Sequence, residues 1–147
     1  MLKKIEKERK RAEHLFYTSL KYTKTADVMV NLMKRWASTI EETIEASLKH
    51  AKKKKLIKEI PKVPKAKIIV MKKIIKEDVV KKMMDLYEIF RNINKYRKVA
   101  EHEFRKNVSL KLIKDNQVIK IDLTKLEEWE KIFEDYIKIV TKFLRSK

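Results

Sequence analysis

Apolar residues recur at steps of three and four along most of the chain, the pattern of helices that bury one face. From about Leu2 to Tyr22, the residues Leu2, Ile5, Ala12, Phe16 and Leu20 keep helical spacing, and lysines and arginines fill much of the remainder. A second segment, about Thr25 to Lys54, carries Val28, Met29, Leu32, Met33, Trp36, Ile40, Ile44, Leu48 and Ala51 on one stripe. Thr25 or Asp27 suits its N-cap, and Lys52 to Lys55 suit the negative end of its dipole. Ile60-Pro61-Lys62-Val63-Pro64 follows. Two prolines fix φ and disfavour helix just before them, so about 55–66 is expected to be a linker. Ala66 to Ile75 fits helix or strand equally well. Val79 or Val80, Met83, Leu86, Phe90, Ile93, Ala100 and Phe104 then predict a long helix from Glu77 to Arg105. A helix continuous from Ala66 would exceed about 50 Å, which places a break near Glu77-Asp78.

After Asn107 the period shortens to two. Val108, Leu110 and Leu112 alternate with polar residues, Asp115-Asn116 supplies turn chemistry, and Ile119, Ile121 and Leu123 alternate again. The pattern predicts a β-hairpin over 108–123. Thr124 and Glu127 have capping-box spacing, and Leu126, Trp129, Phe133, Tyr136, Val140 and Phe143 form a last helical stripe. The expected architecture is mainly α: one domain over 1–147, a four-helix bundle with a β-hairpin inserted before the last helix. Trp36 and Trp129 fall in its core. Tyr17 and Tyr22 could stack on bases, but core packing fits their helical setting better.

Composition removes whole classes of chemistry. Among 147 residues there is no Gly and no Cys. Without Gly there is no P-loop, dinucleotide fingerprint or nucleophile elbow. Without Cys there is no disulfide, thiolate catalysis or zinc finger. His14, His50 and His102 lack the Glu-x-x-His and H-E-x-x-H spacings, so neither a metal nor another cofactor is expected. The longest apolar run, Ile68 to Met71, is far below the roughly 20 residues of a membrane span. These features predict a soluble, cytoplasmic protein. Abundant Lys and Glu also fit a thermostable one.

Charge changes the picture most. Lys plus Arg total 39 against 21 Asp plus Glu, a net charge of +18. Lys49, Lys52, Lys53, Lys54, Lys55, Lys58, Lys62, Lys65 and Lys67 share their stretch with one acid, Glu59. Ion-pair networks need matching carboxylates, and this stretch lacks them. Phosphates would satisfy it, with release of condensed counterions, so RNA or DNA is the expected partner. An acidic protein would satisfy the same charge in a noncatalytic bundle that dimerises or docks. No strongly apolar face adjoins the run, which argues against a membrane. No aromatic signature of base readout is present, so contact is expected with phosphates. His50 could add pH-dependent charge to the run. His14 and the acidic group Glu41, Glu42 and Glu45 suit a solvated helix surface.

One position breaks the third stripe. Arg97 falls where an apolar residue is expected, and Glu101, four residues on, could pair with it. Arg97-Lys-Val-Ala-Glu-His102, late in a four-helix bundle, also resembles the R-x(4–6)-H motif of the HEPN family. The resemblance implies a compact, usually dimeric helical domain. Its members include metal-independent RNases and noncatalytic partners of nucleotidyltransferases. It further implies a composite cleft in which Arg97 holds the scissile phosphate and His102 moves a proton. The hairpin 108–123 is not a standard part of that family.

Overall fold

In the computed structural model, which describes residues 2–146, the first stripe forms α1 (Leu2–His14) and buries Ile5 and Ala12. The helix continues through a π-helical turn, Leu15–Ser19, where the Leu20 N–H reaches back five residues to the Leu15 carbonyl. One last turn, Leu20–Tyr22, buries Leu20. Helix α2 (Ala26–Lys53) is 28 residues long, roughly 42 Å at 1.5 Å per residue. The Thr25 hydroxyl caps it, accepting from the Val28 N–H at 3.4 Å. Pro64 opens α3 (Pro64–Ile74). A first-turn proline loses no helical hydrogen bond and has its φ preset, which resolves the ambiguity of Ala66 to Ile75 in favour of helix. The chain breaks at Glu77, as expected, and α4 (Asp78–Arg91) buries Val80, Met83, Met84, Tyr87 and Phe90.

The expected continuation of α4 to Arg105 does not occur. The helix stops at Arg91, a 3₁₀ turn covers Ile93–Lys95, and Arg97–Glu101 is strand β1. The Asn92 amide donates to the Glu88 carbonyl at 2.8 Å. Asn92 and Asn94 compete with helix through such local bonds, and the apolar stripe has no member between Ile93 and Ala100 to hold a helical face down. The expected hairpin is present as β2 (Ser109–Lys114) and β3 (Gln117–Asp122). Strand β1 adds to it, so the sheet has three antiparallel strands in the order β1-β2-β3. Lys98 and Ala100 face Leu112 and Leu110, which face Ile119 and Ile121 in turn. Leu110, Leu112 and Ile121 carry the buried side of the sheet.

Strand β3 runs directly into α5 (Leu123–Arg145). Its cap is Asp122, whose carboxylate accepts from the Lys125 N–H at 2.8 Å. The expected cap at Thr124 therefore lies two residues too late. The fold is mainly α, with a small sheet before the last helix. Trp36 sits at the centre of the core, with the Phe90 and Phe133 rings 5.5 and 5.9 Å away. Phe90 meets Trp129 edge-on at 5.4 Å. A hydroxyl pair, Thr43 with Tyr136, crosses from α2 to α5 inside this core. Among the described residues no helix is long and apolar enough to cross a membrane.

Candidate functional site

The basic run begins where α2 ends. The Leu56 N–H bonds to the Ala51 carbonyl at 2.9 Å and the Lys55 N–H to the Lys52 carbonyl at 3.0 Å. This is a Schellman motif, and it needs a left-handed residue between cap and loop. Without glycine, Lys55 takes that position at φ 63°. The loop 54–63 then crosses the surface to Pro64. Lys49, Lys52, Lys53, Lys55, Lys58, Lys62 and Lys65 are exposed, and Lys54 is half-buried. Lys67 differs from the rest, because its ammonium pairs with Glu45 at 2.6 Å. Of the nine lysines it alone has an ion pair to a described carboxylate. Lys72, farther on, pairs with Asp85 at 2.8 Å.

Tertiary structure adds cations that the linear sequence leaves remote. The Lys54 ammonium donates to Ser146 Oγ at 3.0 Å, and the His50 ring meets Phe143 edge-on at 5.2 Å. The last turn of α5, with Lys142 and Arg145, therefore docks beside the end of α2. A groove of about 830 Å³ between α1 and α5 includes Ser146 and is lined by Lys138, Lys142 and Arg145 together with Arg9 and its partners Glu6 and Glu134. The basic last turn of α5 was legible in the sequence, but its position was not.

Arg97 and His102 do not occupy one helix. Arg97 opens the exposed edge strand β1, and His102 lies just past the strand's end at φ 55°. Five residues of extended chain put them roughly 15 Å apart. Glu101, the expected partner of Arg97, pairs with Lys111 instead at 3.0 Å. That ammonium holds its carboxyl below the usual range. Arg97 is thus a solvated strand residue, which corrects its expected place in a buried helical stripe.

A polar network joins α1 to α5. Arg9 contacts Glu6 at 2.7 Å, Glu13 at 2.6 Å and Glu134 at 3.3 Å. Its hydrogen bond to Glu6 raises the guanidinium pKa and lowers that of the Glu6 carboxyl. One turn before Glu134, Glu130 is 3% exposed. Neither carboxyl oxygen of Glu130, nor the Trp36 indole N–H, completes a hydrogen bond among the described residues. Burial first, then the Glu134 side chain, push Glu130 up to about 8, with the Trp36 indole pulling weakly the other way. No group of three His, Asp or Glu among the described residues is arranged to hold a metal. Tyr17 and Tyr22, expected in the core, are exposed at 58% and 77%. The π turn shifts the face that α1 presents after His14, and Leu20 takes the buried position.

Comparison with protein-family models, curated proteins and solved structures found no match to this chain.

Proposed function

We propose that the chain is a nucleic-acid-binding domain that grips phosphates with the lysines at the end of α2 and in the loop 54–63. One observation carries this reading. Lys49, Lys52, Lys53, Lys54, Lys55, Lys58, Lys62 and Lys65 stand together with no ion pair to a described carboxylate. Like charges held this close repel one another, and a polyanion relieves that repulsion while releasing its own counterions. Lys142 and Arg145 extend the surface from the side of α5. Lys67, neutralised by Glu45, contributes less. The resemblance to the HEPN family is a reason to try RNA first, but the chemistry it implies for Arg97 and His102 loses its support in their strand-and-turn setting.

Filter binding of labelled RNA and DNA across a salt series tests the proposal. Affinity should fall steeply with salt. Replacing Lys52 to Lys55 with Gln should make the log–log slope shallower by roughly 3 on a single strand. Undetectable binding of both polymers at low salt overturns the reading and leaves an acidic protein as the partner to seek.

A further inference from the structure

Far from the lysine run, the other end of α2 carries a second unusual surface. Three exposed aromatic side chains stand out: Tyr17, Tyr22 and Phe104, the last 74% exposed. They come from distant parts of the sequence, and one backbone bond ties the segment of Tyr22 to that of Phe104: the Phe104 N–H donates to the Lys24 carbonyl at 2.6 Å. That bond docks the loop after β1 onto the turn between α1 and α2. Tyr22 stands two residues before Lys24, and the Lys21 ammonium lies 5.8 Å from the Tyr22 ring centre. Tyr17 lines a neighbouring cleft of about 280 Å³ with Phe16, Leu20, Lys21, Lys24, Leu123 and Glu127.

Backbone irregularity gathers at the same place. The π turn Leu15–Ser19 ends three residues before Tyr22, and π turns are often found at functional sites. Both His102 and Phe104 are left-handed, at φ 55° and 67°. For Phe, with no short polar side chain to stabilise it, that conformation is strained. A fold optimised only for stability would not hold a bulky ring in a costly conformation and then leave it in water. Charge defines the occupant. Beside Tyr22 and Phe104 the sequence neighbours Lys21, Lys24, Arg105 and Lys106 outnumber Glu103, whereas Tyr17 shares its cleft with Glu127 and feels the charges of Glu13, Glu130 and Glu134. Flat rings interleaved with ammonium and guanidinium groups match a polymer of planar bases on a phosphate backbone.

We infer that Tyr22 and Phe104, with Lys21 and Lys24, form a stacking platform for unpaired bases, so that the preferred ligand is single-stranded. This rests on the nucleic-acid reading above and adds to it a second, base-contacting surface at the opposite end of α2. Duplex bases are already stacked and gain nothing there, whereas unpaired bases exchange contact with water for an aromatic face.

The test compares a single-stranded oligouridylate with a duplex of equal length, using wild type and the double variant Tyr22→Ala, Phe104→Gly. Glycine is chosen because it keeps the left-handed corner at ease while removing the ring. The variant should lose roughly tenfold in single-strand affinity, keep its duplex affinity and keep the wild-type salt slope. Tyr22→Phe should retain wild-type binding. A 2-aminopurine base in the strand should be quenched by wild type and not by the double variant. If wild type binds oligonucleotides but the double variant binds the single strand equally well, the platform is overturned while the phosphate reading stands, and the patch belongs to a protein contact. If wild type binds neither strand nor duplex, both fall together.

Discussion

Glu130 is where a single residue most affects the behaviour of the whole. Its carboxyl is buried without hydrogen bonds, and burial with Glu134 nearby raises its pKa from an ordinary 4.5 to about 8. The folded state therefore binds a proton that the unfolded chain releases. Stability is fullest below about pH 4.5 and declines as pH rises toward 8. Glu130→Met, of similar volume and without a polar group, should be stabilising by about 1–3 kcal/mol at pH 4.5, where it removes an unpaired carboxyl, and by more at pH 8, where it also removes the cost of ionisation. Thermal melts across that range check it, and a pH-independent difference would show that ionisation is not the cause. Nothing in the residue pattern singles out Glu130, which stands beside Trp129 in a run of acids that looks like any solvated helix face. The aromatic residues misled in the opposite sense: Tyr17 and Tyr22 keep company with Phe16 and Leu20, yet both are exposed while Phe16 is half-buried and Leu20 buried.

At the scale of elements, local chemistry was readable wherever one residue type decides the outcome. Thr25 caps α2, the prolines delimit the linker, the chain breaks at Glu77, and Asp115-Asn116 turns the hairpin. What escaped depended on partners distant in sequence. Strand β1 exists because β2 offers it an edge, as in the pairing of Val99 with Lys111, and nothing within residues 97–101 announces that edge. The cap of α5 moved for the same reason: β3 delivers Asp122, not Thr124, to the start of the helix. Asp122→Ala should cost about 1 kcal/mol, whereas Thr124→Ala should cost little. Urea midpoints of the two variants distinguish the caps, and a larger loss at Thr124 would restore the capping box.

At the scale of the molecule, the excess of cations dominates. A net charge of +18 opposes the compact state, and the unneutralised lysines concentrate that opposition at one end. Salt should accordingly stabilise the free protein. Its melting temperature should rise by several degrees between about 0.01 and 0.15 M NaCl, over which the screening length shrinks from about 30 to 8 Å. A flat or falling curve would mean that the cations are balanced in ways the ion pairs do not reveal. The candidate phosphate surface was legible as a count of lysines, but the proposed stacking platform was not, since it joins residues 21–24 to residue 104. The glycine-free backbone has its own consequence. Its sharpest corners, at Lys55, His102, Phe104 and Asp115, each hold a functional group out into solvent where most proteins would show bare chain. Curvature and display are thereby fused, and the bends of this molecule are also its fingertips.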